Sequence, residues 1–289
     1  MRTRGRFLVA AVIVGALAAP ALPAAARTAG GSKPVTHKDF DRHKFSTASA
    51  TVDNRWLPLV PGTQFVYDGT ANRGKGTGAH RVIFTVTDVT KSIDGVRTAV
   101  IWDRDVQDGE LVEEELAFVA QDGGGNVWNL GEYPEEHENG KFAGAPNTWL
   151  SGRQRAAAGV AMRAEPKEGT SSYLQGYAPE IQFEDKARVS KEHQHTCVPA
   201  GCYDDVLVVD EWNPLEQPDD GHQFKFHAPG VGVVRIEARG GVEQETLVLT
   251  KLRHLSGKEL AEARQRALEL DQHAYKVAKD VYRGTSPAS

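Results

Sequence analysis

The sequence predicts a mainly β protein, an antiparallel meander forming a barrel-like or curved sandwich domain, with one long C-terminal amphipathic α-helix. The first observation is that residues 98–132 read as three strands, separated by Asp108-Gly109 and by a glycine-rich turn at 122–125. The second is that both faces of these strands carry apolar side chains, so both must be covered. The third is an apolar period of three and four residues after position 256.

The N-terminus predicts a signal peptide over residues 1–26. Arg2, Arg4 and Arg6 precede an apolar run at 7–18, and three alanines at 24–26 supply a small-residue cleavage pattern. The apolar run is too short to span a bilayer comfortably, and no later run is longer. We therefore expect a secreted, extracytoplasmic protein, soluble after signal-peptide removal and without an integral membrane segment. Residues 27–51 are polar and predict a flexible lead-in.

The net charge of the chain argues against a nucleic-acid partner. The net charge is -5, and removal of the three leader arginines gives -5 - 3 = -8. No basic stripe is present, so the sequence predicts no nucleic-acid partner. The 289 residues are enough for one large β domain.

The β domain is predicted over residues 52–253. Its first strand follows Pro58 and Pro61, which hold the entry extended. At the end of the meander, residues 132–141 read as an acidic surface loop, and residues 156–162 read as a strand or a short helix. Later strands are expected at 203–212, 223–227, 231–238 and 245–252.

The central meander also predicts a ligand site. If Asp108-Gly109 is the loop and the register is continuous, Trp102 lies opposite Glu115, Arg104 opposite Glu113, and Val119 opposite Trp128. Two indoles beside a charged cluster are typical of a pocket wall, although a core edge with an exposed Arg104–Glu113 pair explains the same residues. The ligand-binding residues predicted on this register are Tyr67, Trp102, Arg104, Glu113, Glu115 and Trp128.

Two cysteines, Cys197 and Cys202, predict a disulfide, because an exported protein meets oxidising conditions. A redox or metal pair is the alternative. His193 and His195 precede the first cysteine on one strand face, but zinc would need a free thiolate, which the disulfide removes. The sequence therefore predicts no metal ligands.

Acidic residues around the first turn suggest two further interpretations. Asp103, Asp105 and Asp108 resemble a calcium loop, except that the third acid comes one place late; a solvated hairpin end explains the same residues. The continuous register also places Asp103 opposite Glu114, a carboxylate pair of the kind that glycosidases use; a solvated pair close to the turn explains the same residues. No G-x-S-x-G, H-E-x-x-H or phosphate loop occurs, and no cofactor is predicted.

The C-terminal region predicts a helix over residues 254–283, followed by a short tail at 284–289. Ser256 and Glu259 form a capping box. The apolar stripe is expected to pack on the sheet, or alternatively to form a homodimer seam. It consists of Leu260, Ala263, Ala267, Leu270, Ala274, Val277 and Val281.

Three segments resemble an uncharacterised family of exported bacterial β-rich proteins. Residues 54–63, running on to Tyr67, resemble the opening strand of these proteins, with its proline-leucine, glycine and tyrosine pattern. Residues 122–128 resemble their middle turn, and residues 228–234, APGVGVV, resemble their penultimate hairpin. The resemblance implies export and a β fold, and it transfers no catalytic residue.

These observations favour a secreted or envelope-associated, non-enzymatic binding protein for an unknown apolar or aromatic small ligand. One alternative is a hydrolase that uses the acidic cluster. The other is a structural domain that dimerises through the C-terminal helix.

Overall fold

The computed structural model describes residues 40–72, 76–215, 221–241 and 244–289. The predicted signal peptide and the lead-in up to residue 39 lie outside the described residues. Within the described ranges, no helix combines the length and the hydropathy that crossing a bilayer requires.

The chain folds into a closed antiparallel barrel of twelve strands, which confirms the predicted fold class. Going round the barrel, the strands follow the order β4-β3-β2-β1-β14-β13-β12-β11-β10-β9-β8-β5, and pairing of β5 with β4 closes the ring. Short strands β6 and β7 pair with β5 outside this ring. The strands are β1 Thr63–Asn72, β2 Thr77–Ile93, β3 Val96–Gln107, β4 Glu110–Gln121, β5 Val127–Glu138, β6 Lys141–Gly144, β7 Trp149–Leu150, β8 Ala157–Met162, β9 Tyr173–Ala178, β10 Phe183–Val198, β11 Gly201–Trp212, β12 His222–Ala228, β13 Gly232–Arg239 and β14 Gln244–His254.

The first hairpin loop is the one the sequence predicts. Asp108 and Gly109 have φ values of 51° and 88°, and Gln107 lies opposite Glu110. Both positions need the left-handed region, which explains the Asp-Gly dipeptide.

The continuous register beyond that loop is wrong by one residue. An irregularity between Asp105 and Val106 inserts an extra residue into the pairing, as a β-bulge does. Trp102 therefore pairs with Leu116 instead of Glu115. Likewise Arg104 pairs with Glu114 rather than Glu113, and Asp103 with Glu115 rather than Glu114. Across the second turn, Trp128 pairs with Ala120 instead of Val119.

One further segment differs from the sequence-based expectation, because strand β5 continues to Glu138, where a surface loop is predicted. Strand β8, Ala157–Met162, is one of the two alternatives predicted for its segment. The described part of the lead-in is ordered by contacts. It holds a turn of 3-10 helix at Arg42–Lys44, and the rings of Phe40 and Phe45 lie 5.6 and 6.0 Å from that of Trp128.

The barrel interior is largely apolar toward one end. Interior side chains such as Phe65, Phe84 and Ile101 form one buried cluster. Before β1, Leu57 and Leu59 join the same cluster, so the entry segment closes that end of the barrel.

A second apolar cluster lies outside the barrel, between the outer face of β2–β5 and the C-terminal helices α1 (Gly257–Val277) and α2 (Lys279–Tyr282). The predicted capping box of Ser256 and Glu259 starts α1. Of the predicted stripe, Leu260 is half-buried, Val277 is 39 % exposed, and the other members are buried: Ala263, Ala267, Leu270, Ala274 and Val281. The stripe thus packs on the barrel of its own chain.

A buried ion pair joins the C-terminal helix α1 to strand β2. Lys91 Nζ, on β2, lies 2.8 Å from Asp271 Oδ1 of α1 and donates to the Ser286 carbonyl at 2.7 Å. Ser289 exchanges backbone hydrogen bonds with Thr90. The C-terminal residues are therefore held against strand β2.

Candidate ligand site in the barrel interior

The interior changes from apolar to acidic along the strands. On β2, the interior positions Val86, Phe84 and Val82 are followed by His80; on β14, Leu249 and Leu247 are followed by Glu245. Because antiparallel neighbours place these strand ends together, the polar positions gather at the end of the barrel opposite Leu57. The buried polar residues at this acidic end are His80, Asp103, Asp105, Glu113, Glu115, Glu132, Gln175, Asp185, Glu211, Gln223, Lys225 and Glu245.

His80 lies between two carboxylates. Its Nε2 is 3.2 Å from Asp105 Oδ2 and its Nδ1 is 2.9 Å from Glu245 Oε1. Burial lowers the pKa of His80, but the hydrogen bonds to Asp105 and Glu245 outweigh burial and raise the pKa to about 10. The ring is therefore an imidazolium at neutral pH.

The same three residues have the donor types of a metal site, and their ligand atoms lie within 4.8 Å of one another. A metal would have to displace the proton that the two carboxylates hold on His80, since only neutral imidazole ligates. The raised pKa of His80 therefore favours an ion-pair network over a metal centre.

Lys225 forms the second charged group of the interior. Its Nζ lies 2.6 Å from Glu211 Oε2 on the neighbouring strand β11. Gln175 donates to Glu211 Oε1 at 3.0 Å and to the Ala161 carbonyl at 3.2 Å. Lys225 thus pairs with Glu211, and its charge also acts on Glu132 by opposing the rise of that carboxyl's pKa.

Glu115 and Glu132 are the interior carboxyls that burial and neighbouring negative charge shift toward the protonated form. Burial raises the pKa of Glu115 well above its ordinary value, and the neighbouring carboxylates of Glu132, Glu113, Asp103 and Asp105 raise it further. Burial also raises the pKa of Glu132 to about 7, although hydrogen bonds from Trp149 and Asn129 oppose the rise. Both carboxyls therefore hold protons under conditions in which exposed carboxyls are ionised.

Several interior oxygens have no hydrogen-bond partner among the described residues. They are Glu115 Oε1, Gln175 Oε1 and Gln223 Oε1, and each belongs to a buried side chain. The two amide oxygens accept hydrogen bonds, and the Glu115 carboxyl becomes acceptor-only when it ionises. Because a buried acceptor without a donor is costly, their arrangement complements a group that brings hydrogen-bond donors or positive charge.

The structure divides the predicted site residues between two faces. Tyr67, Glu113 and Glu115 face the interior, where Tyr67 donates to the Val233 carbonyl at 2.9 Å. The side chains of Trp102 and Trp128 share the outer face, as the pocket hypothesis requires of two indoles on one wall.

That outer wall is covered by other side chains of the protein. Trp102 donates to Glu114 Oε1 at 2.8 Å and stacks under the Arg104 guanidinium at 4.3 Å. Trp128 donates to Asp122 Oδ2 at 2.9 Å beneath the two phenylalanines of the lead-in. The two faces therefore offer separate surroundings. The outer carboxylates of Glu114 and Asp122 accept hydrogen bonds from the two indoles, whereas the interior gathers Glu115 and further buried carboxyls beside Tyr67.

The acids of the calcium-like pattern also separate. Asp103 and Asp105 lie in the interior, whereas Asp108 accepts a hydrogen bond from the Ala79 amide at the hairpin end.

The interior residues that the sequence analysis misses include His80, Glu245, Glu211 and Lys225. A signal exists for the first three, because each continues, two residues further along its strand, the alternation of interior apolar side chains. Lys225 lies in phase with the polar Gln223 and His227, so the alternation does not mark it. A polar residue in the core phase of a strand is a candidate site residue, because it needs partners that a simple core lacks.

The chain matches no protein-family model and no curated protein. Two solved structures are similar to it in part. One is a protein from Bacteroides fragilis, inferred to be exported, with a YmcC-like fold; it is 13 % identical, with a TM-score of 0.41, over 69 % of this chain and 99 % of that one. The other, inferred to be a lipoprotein, comes from Parabacteroides distasonis and is 15 % identical, with a TM-score of 0.37 and the same coverage of both chains.

Proposed function

We propose that this protein is an extracytoplasmic, non-enzymatic binding protein whose small ligand carries a cationic group on an apolar or aromatic body. The N-terminal signal pattern supports the location. The ligand would enter the acidic end of the barrel, with its cation among the buried carboxylates and its body toward Tyr67 and the aromatic core.

One observation carries the proposal. Glu115 is a buried carboxyl that lies among other carboxylates, and its Oε1 has no hydrogen-bond partner among the described residues. An ammonium or guanidinium group would donate to that oxygen and offset the repulsion between the carboxylates. Lys225 and His80 each already face carboxylates of their own.

The strand number supports a guest in the barrel interior. Eight-stranded barrels already hold one small ligand in the lumen, and the diameter grows with strand number. The ring of this protein has twelve strands.

Calorimetric titration with matched probes tests the proposal. Phenylethylamine supplies an aromatic body and an ammonium group, while phenylethanol keeps the body and lacks the charge. We expect the amine to bind and the alcohol to bind at least about tenfold more weakly, since a hydrogen bond to a charged group contributes about 1.5–3 kcal/mol.

Two variants test whether the ligand binds at Glu115. Glu115→Gln should weaken amine binding about tenfold or more. Glu262→Gln, on the exposed face of α1, should leave it unchanged. Equal affinities for amine and alcohol, or an unaltered amine affinity in Glu115→Gln, would refute the proposal.

A further inference from the structure

The tip of the β10–β11 hairpin gathers sulfur and imidazole ligands outside the barrel interior. Cys197 and Cys202 are direct partners across the two strands, with Cα atoms 4.0 Å apart, and they form a disulfide. His195 lies two residues before Cys197, so both side chains project from the same face of β10. Its Nε2 is 3.4 Å from Cys197 Sγ.

A carboxylate orients this histidine. His195 Nδ1 lies 2.7 Å from Asp204 Oδ1, a residue of the facing strand β11. A carboxylate that accepts from Nδ1–H holds the proton there and leaves the Nε2 lone pair directed at the sulfurs. This arrangement, in which a carboxylate binds one ring nitrogen of a histidine and the other nitrogen is free for a metal, is common in zinc sites.

We propose that the hairpin tip is a redox-gated site for a thiophilic metal ion such as Zn²⁺, held by Cys197, Cys202 and His195. The ligand atoms of the three residues lie within 4.8 Å of one another, and all three side chains are exposed. A tetrahedral zinc site places sulfur and nitrogen ligands about 3.6 Å apart and two sulfurs about 3.8 Å apart. The sulfur–nitrogen pair is already near that distance, and the sulfurs need only separate after reduction.

Reduction opens the site by a balanced exchange. A dithiol reductant supplies two electrons and two protons; the Cys197–Cys202 bond breaks, two thiols form, and the reductant becomes a disulfide. Zinc then binds both sulfurs as thiolates and releases the two thiol protons. Three protein ligands leave the fourth tetrahedral position for water or another small ligand.

The same hairpin contains a second histidine, His193, that serves as a control for His195. His193, two residues earlier on β10, pairs with Asp205 at 2.6 Å in the same histidine–carboxylate manner. Asp205 also receives Arg55 at 2.6 Å, and among the described residues His193 belongs to no group of metal-ligating side chains. Replacing His193 therefore removes an equivalent ring without touching the proposed ligand set.

The test is a zinc titration of the full-length mature protein against a chromophoric chelator, in the oxidised form and after reduction under anaerobic conditions. We expect one additional zinc ion per chain to bind to the reduced form. His195→Ala should weaken that binding at least about tenfold, and Asp204→Asn about tenfold, the usual effect of losing a ligand's supporting carboxylate. His193→Ala should leave it unchanged.

Cobalt supplies an independent readout, because Co²⁺ bound to the reduced form should show a thiolate-to-cobalt charge-transfer absorption that the Cys197→Ser/Cys202→Ser variant lacks. Zinc held by the acidic interior would bind the oxidised and the reduced protein equally, so it does not affect the difference in zinc binding between the two forms. Equal zinc binding by oxidised and reduced protein, or equal effects of His195→Ala and His193→Ala, would overturn the proposal.

Discussion

Glu132 illustrates why buried carboxyls of the barrel interior keep their protons. Its carboxyl is buried and accepts from Trp149 Nε1 at 3.1 Å and Asn129 Nδ2 at 2.8 Å, yet its pKa is raised to about 7 from an ordinary 4.5. Two good hydrogen bonds therefore do not compensate for the loss of water. The folded state holds this proton more tightly than the unfolded state does.

Stability should consequently fall as the pH rises through this range. Between the unfolded pKa of 4.5 and the folded pKa of about 7, the native state binds more protons, so the free energy of unfolding decreases with pH. From pH 5 to pH 7 the contribution of Glu132 is about 2 kcal/mol of lost stability.

Urea unfolding of the wild type and of Glu132→Gln at pH 5 and pH 7 measures this contribution. His227 works in the opposite sense, because burial lowers its pKa to about 3 and stability is lost as the pH falls below 6.5. Both proteins retain His227, so the difference between them reports Glu132 together with its effect on the pKa of Glu115. A pH response that is the same in both proteins would show that Glu132 ionises normally.

Helix α1 packs on the outer face of the barrel, which carries Trp102 and Trp128. Small side chains in its stripe, notably Ala267 at 0 % exposure, let the helix approach the outer face of the barrel closely. Arg266 then reaches Glu114, the carboxylate that also accepts from Trp102. The helix thus covers the wall at Trp102, while Phe40 and Phe45 of the lead-in cover it at Trp128.

Overpacking this interface should destabilise the protein. Ala267→Leu adds three carbons where no space is left, which costs typically about 1–3 kcal/mol. Ala261→Leu makes the same change on the exposed face of α1 and should stay within about 0.5 kcal/mol of wild type. Thermal unfolding of both variants compares them directly, and equal melting temperatures would mean that α1 does not pack tightly on the barrel.

At the scale of the whole molecule, the fold class follows from local patterns, whereas the interior network does not. Asp108-Gly109 and the stripe after Ser256 carry their structural signal within a few residues, so turn and helix are predictable. The bulge beside Asp105 leaves no comparable signal, and it moves Trp102 from Glu115 to Leu116. One inserted residue is enough to change which carboxylates face one another.

The acidic interior depends on the closure of the ring. His80 meets Asp105 because β2 pairs with β3, but it meets Glu245 only because β14 returns to pair with β1. That contact joins residues far apart in the sequence, and strand order around a barrel is not encoded in any single strand. The sequence therefore predicts a covered β sheet but not the charges that the ring encloses.

Proton release on ligand binding is the most direct test of the account. A cation that enters the acidic end should drive Glu115 and Glu132 to ionise, since a nearby positive charge lowers the pKa of a carboxyl. Titration of phenylethylamine at pH 6, in buffers of different ionisation enthalpy, measures the protons exchanged. The account predicts net release of protons to the buffer, with less release from Glu132→Gln. Binding without proton exchange, or with proton uptake, would contradict a cation site among these buried carboxyls.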